Sequence, residues 1–201
     1  MSRLSLTAKE LQYLTDTDFL LTKVAINRKA NRLLTTTQTE LKAYIQDKSP
    51  AFPETVLIRG GKISQGESYR NLPYQVLDYP RKFSKSDIFS IRTMVWWGHE
   101  LSITWHVAGE SLTHCSPQLE SQLSLMKRWD WQVCVGDDPW QYYQLPSYYQ
   151  PAASFEENTW KLWLDKRAFC KFAVFFSFSD WDELPQKAVT FLDQVVTILD
   201  I

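Results

Sequence analysis

The chain is short of the residues that carry most enzyme chemistry. Its 201 residues include three histidines and three cysteines. Cys115, Cys134 and Cys170 are odd in number, far apart and without a C-x-x-C pair. That argues against a disulfide framework or a zinc knuckle and suits a reducing compartment. Charge of one sign is lacking too: 22 basic residues against 23 acidic ones leave a formal net charge of −1. Such a chain is no electrostatic trap for nucleic acid or for an anionic membrane. No apolar run reaches the length of a signal-peptide core or a membrane span, so the expected location is the cytoplasm, with no membrane partner. G-x-S-x-G, P-loop and G-x-G-x-x-G motifs are absent. The "RGGK" at residues 59–62 resembles a phosphate loop in composition only, because no helix follows it.

Aromatic residues are what the chain has in excess. Nine tryptophans point to a sheet-rich core with large rings. The first fifty residues read as helices. Thr7-x-x-Glu10 and Thr37-x-x-Glu40 fit the capping box, and Thr15-x-x-Asp18 is a shorter version. Phe19, Leu20, Val24, Ile26, Leu33 and Leu34 form one helical apolar stripe, and Leu41, Tyr44 and Ile45 another. Thr35-Thr36-Thr37 is a poor helix interior and is expected to divide two helices.

All six glycines lie at or beyond Gly60, beside β-branched or aromatic runs, as turns between antiparallel strands require. "VLIRGGKIS" reads as a hairpin with a Gly60-Gly61 loop and "YQVLDYP" as a strand. "SDIFSIR" reads as a short helical segment, and "WDWQVCV", "TWKLWLD" and "FCKFAVFFSF" as strands. A helix is expected from Ser116-Pro117. At the end of the chain Leu184, Ala188, Phe191, Leu192, Val195 and Leu199 recur at helical spacing. The expected fold is α+β in one domain over 1–201. Helices fill 1–48, a twisted antiparallel sheet fills most of 55–180, and a C-terminal amphipathic helix over 182–200 packs on one sheet face.

Residues 93–115, "TMVWWGHELSITWHVAGESLTHC", hold all three histidines. With Gly98-His99 as a two-residue hairpin loop, Met94, Trp96, Leu101, Ile103, Trp105 and Val107 share an apolar face. Val95, Trp97, Glu100, Ser102, Thr104 and His106 share the other. His99 and His106 are then separated by roughly 23 Å of strand. If Ala108-Gly109 turns a third strand back, His114 points away from His106. No metal site and no cofactor is therefore expected, since zinc needs three or four converging ligands. His106, beside Ser102 and Thr104, is the candidate acid or base.

Binding residues are sought elsewhere. Residues 137–158 form a long aromatic loop carrying Trp140, Tyr142, Tyr143, Tyr148 and Tyr149, the ring types that line ligand rims and protein interfaces. Arg59, Arg70 and Arg81 lie in a locally basic stretch and are candidates to clamp a carboxylate or phosphate. The expected function is non-catalytic binding of a small molecule or protein partner, through the loop and a cavity between sheet and helix. Pairing of two copies through the loop is a further expectation. The alternative is an enzyme acting on a small anionic substrate, with an arginine clamp and His106 moving the proton. Nucleic-acid binding through Arg28, Lys29 and Arg32 is the weakest reading, because the aromatics lie among acids.

Overall fold

The computed structural model of the chain describes residues 4–53, 55–56 and 60–201. Two helices come first, α1 (Ala8–Thr15) and α2 (Thr17–Lys48). Four strands follow: β1 (Lys62–Tyr69), β2 (Leu72–Phe83), β3 (Ile88–Trp96) and β4 (Glu100–Ala108). Then come α3 (Glu110–Ser121), α4 (Leu123–Arg128), β5 (Gln132–Cys134), β6 (Tyr149–Pro151), α5 (Glu157–Leu164), β7 (Phe169–Phe176) and α6 (Leu184–Leu199). The strands form one antiparallel sheet in the order β1-β2-β3-β4-β7-β5-β6. The fold is α+β, with helices at the N-terminus and a C-terminal helix.

One sheet face carries the main core. Leu77, Ile91, Ile103, Trp105 and Phe172 meet Leu34 and Leu41 of α2 and Phe191 and Val195 of α6 there. All six stripe residues read from the sequence of α6 are buried. The second sheet face carries Asp78, Ser90, Arg92, Met94, Trp96, Ser102, Thr104, His106 and Lys171, and residues 137–148 lie across it.

Several local expectations fail for identifiable reasons. The Thr7 capping box is present, but α2 is capped by Asp16, not Thr15, and runs straight through Thr35-Thr36-Thr37. The threonine hydroxyls donate back along the helix, Thr35 to the Asn31 carbonyl at 2.8 Å and Thr37 to that of Leu33 at 2.9 Å. Burial of Leu33, Leu34, Leu41 and Ile45 outweighs the poor local propensity. "SDIFSIR" enters β3 instead of a helix, alternating Phe89 and Ile91 toward the core with Ser90 and Arg92 away from it.

After Gly109 the chain turns into α3, not a third strand, and Pro117 sits inside that helix instead of starting one. The cap comes from far away: the Asp87 carboxylate accepts from the Ser111 N–H at 2.9 Å. "TWKLWLD" is α5, whose Trp160 and Leu164, four apart, are both buried. An apolar run this short fits either period. Part of the "VLIRGGKIS" hairpin lies outside the described residues. A two-residue hairpin turn joins β1 and β2 at Arg70-Asn71, where both φ angles are positive (50° and 64°), as a primed turn needs.

The β3–β4 register also differs by one residue. Met94 pairs with Ser102 and Trp96 with Glu100, so Trp97-Gly98-His99 makes a three-residue connection with Gly98 at φ 74°. The β4 faces are as read. On β3, Met94 and Trp96 join the polar face, and Val95 joins the core.

Candidate functional site

Two places in the fold are candidates for a site: the loop-covered sheet face, and the end of the sheet beside the first half of α2. On the first, Lys171 of β7 is fully buried at its centre. Its ammonium donates to the carbonyls of Pro139 (2.9 Å) and Gln141 and lies 4.3 Å from the Tyr142 ring centroid. Arg92 makes a two-pronged pair with Asp78, at 2.7 and 2.9 Å, and its guanidinium lies 4.7 Å from the same ring. The Tyr142 N–H donates to the Tyr69 hydroxyl at 2.7 Å, and the Tyr149 hydroxyl donates to the Gln141 carbonyl at 3.2 Å. The loop is thus bonded down on the strands beneath it.

These contacts set the electrostatics. Burial, reinforced by the positive charge of Arg92, brings the Lys171 ammonium down to a pKa of about 8. Burial pushes the Tyr142 hydroxyl up to about 12. His106 is buried, edge-on to Trp140 and Phe169 at ring distances of 5.9 and 5.7 Å. Neither ring nitrogen has a hydrogen-bond partner among the described residues. Burial, then the charges of Lys171 and Arg92, depress its pKa to about 3. With so low a pKa and no carboxylate among the described residues to orient it, the ring is a poor general base.

The residues singled out from the sequence divide accordingly. Tyr142 and Tyr149 are buried, Tyr143 and Tyr148 are half-buried, and Trp140 is exposed. Exposed Arg70 comes to the loop: it donates to Gln141 and the Tyr148 hydroxyl, and lies 5.0 Å from the Tyr143 ring and 5.6 Å from that of Tyr148. Arg81 is half-buried in β2 with its Nε unpartnered among the described residues, and Arg59 lies outside them. His99 stacks on Trp96 and His114 is exposed on α3, so the histidines stay apart. Burial raises the Cys115 and Cys170 thiols to about 12. Among the described residues no three metal-ligating side chains converge, and no helix is long and apolar enough to cross a membrane.

Of the second place the sequence offered a cavity between sheet and helix, but not the part of α2 that borders it. The buried residues of α2 begin only at Ala30. Ahead of that, Phe19, Leu20, Val24 and Ile26, read above as part of a core stripe, are 37–46% exposed. Here α2 meets the sheet through polar contacts, Lys23 with Glu67 of β1 at 2.7 Å and the Asn27 carbonyl accepting from the Gln75 amide of β2 at 3.1 Å, which leave these apolar side chains partly exposed. At their base lies a cavity of about 420 Å3, lined by Ile26 and Lys29 of α2, Val95 and Trp97 at the sheet end, and Phe178 and Trp181 of the turn before α6. The signal in the sequence was the run "FLLTKVAI" over 19–26, apolar around more of the helix than one core-facing stripe needs. Compared with known proteins, the chain matches no family model, no curated protein and no solved structure.

Proposed function

We propose that the chain is a non-catalytic binding module and that its site is the apolar first half of α2 together with the sheet–helix cavity at its base. One observation carries this reading. Five large apolar side chains are exposed within eight residues, Phe19, Leu20, Leu21, Val24 and Ile26, and the last of them lines the cavity. A helix apolar on several faces is an element that something covers. The neutral, carboxylate-free His106 and the engaged Asp78 and Lys171 favour binding over catalysis.

A fluorescent apolar probe such as anilinonaphthalene sulfonate tests the site. The native chain is expected to bind it, and Ile26→Glu is expected to remove that binding with little change in melting temperature. A native chain that binds no probe contradicts the reading. A smaller, second surface is supported on the loop, where the exposed Arg70 guanidinium sits over Tyr143 and Tyr148 as a platform for a planar anion. There, Arg70→Ala is expected to abolish binding of an aromatic carboxylate such as benzoate. Unchanged binding would remove this second surface.

A further inference from the structure

We infer that the cavity beside α2 takes a small amphipathic carboxylate, its hydrocarbon body between the apolar walls and its carboxylate beside Lys29; the inference rests on the binding reading above and names the class of ligand. Three features of the cavity agree on this occupant.

The first is its place in the fold. Lys23 and Asn27, which meet β1 and β2, lie on one side of α2. Ile26, Lys29 and Leu33 lie roughly a quarter turn round the helix from them, since each residue adds about 100°. Farther along, that side of α2 meets α6, where the Tyr44 hydroxyl donates to Asp193 at 2.8 Å. Level with Ile26, the residues opposite are Phe178 and Trp181, in the turn before α6 begins at Leu184, and the cavity of about 420 Å3 lies between. It is thus a gap in the layer between helices and sheet, with the core residue Val95 in its wall. Its volume falls within the range of about 300–1,000 Å3 that small-molecule sites occupy.

The second is the character of the walls. Lys29 is the one charged residue that lines the cavity; beside it stand Ile26, Val95, Gly98 and three aromatic residues. Walls of this kind give water few partners, so an apolar body that displaces the water gains by doing so.

The third is charge. Lys29 is exposed, and so stands at the mouth of the cavity, and it forms no ion pair among the described residues. No acid occurs in α2 between Asp18 and Glu40, while Arg28 and Arg32 stand close to Lys29 in the chain. The acids of the turn opposite are engaged or lie outside the walls. Asp180 and Glu183 are held by Lys187 at 3.2 and 3.1 Å, and Asp182 is exposed and does not line the cavity. A free cation at the mouth of an apolar cavity complements a ligand whose anionic head stays in water while its body leaves it.

Calorimetric titration of the full chain with decanoate and with decanol, which share a body and differ in the head group, tests the inference. The native chain is expected to bind decanoate about fivefold more tightly than decanol. Lys29→Met keeps an apolar stem and removes the charge. It is expected to abolish the preference by weakening decanoate alone, with decanol binding unchanged because the cavity is intact. A native chain that binds decanol as tightly as decanoate overturns the carboxylate as the ligand class. So does a variant that keeps the preference, or one that loses both ligands together. The fluorescent probe separates the two failures. A native chain that binds the probe but does not prefer decanoate leaves the binding reading standing, and one that binds neither the probe nor either ligand removes both.

Discussion

At the scale of single residues, His106 and Lys171 show how a sheet face can bury polar groups without becoming a reaction centre. His106 is neutral, with both ring nitrogens unpartnered among the described residues. An apolar ring of similar shape loses no hydrogen bond there, so His106→Phe is expected to keep or raise stability to urea at pH 7. The pH dependence has a definite sign. The unfolded histidine takes up its proton near pH 6.5 and the folded one only near 3, so the native chain loses stability as pH falls through that window. The loss is on the order of 1 kcal/mol per pH unit. His106→Phe should flatten that slope between pH 6 and 4; a slope equal to the native one would show the ring to be more open to water than its burial implies.

Lys171 works in the opposite direction along the pH scale. Its folded pKa, about 8, lies below the ordinary 10.5, so the native state sheds the proton first. Stability contributed by this residue therefore rises between pH 8 and 10.5. Lys171→Met should abolish that rise and, by freeing the carbonyls of Pro139 and Gln141, speed proteolytic cleavage near Tyr142–Tyr143. Cleavage at the native rate would mean the tyrosine contacts alone hold the loop. Little of this was legible in the sequence. The β4 alternation placed His106 on a polar face, but nothing local shows that a loop more than thirty residues later in the chain closes over it.

At the scale of elements, the split is between those whose partners are near in sequence and those whose partners are not. The α6 stripe, the Thr7 box and the β4 faces were readable because period and cap are written within a few residues. The start of α3 was not, because its cap is Asp87, on a different segment. Gly109 is the joint between the two: its φ is 63°, and a Cβ there would come 2.1 Å from the Ser86 carbonyl oxygen. Gly109→Ala should cost roughly 1–3 kcal/mol from backbone conformation alone, more with the clash, as read from urea unfolding. A cost below that range would mean the turn relaxes away from Ser86. The long α2 misled in two ways. Its threonines argued for a break that burial overrides, and its first apolar residues kept the period of a core stripe where the side chains stay partly exposed. Periodicity reports that a face is to be covered, not which chain covers it.

At the scale of the whole molecule, two apolar surfaces have been treated differently. The aromatic loop, the more conspicuous in sequence, is largely spent on closing the second sheet face, with Tyr142 and Tyr149 buried and Arg92, Lys171 and Tyr69 holding it. The apolar side chains of the first half of α2 stay partly exposed among the described residues, and the cavity opens beside them. The measurement that tests this division most directly is amide hydrogen exchange along α2, with and without anilinonaphthalene sulfonate. Residues 17–29 are expected to exchange quickly alone and to slow when the probe binds, while residues 30–48, already packed on the sheet, exchange slowly in both. Equal exchange of 17–29 under the two conditions would contradict the first half of α2 as the binding surface.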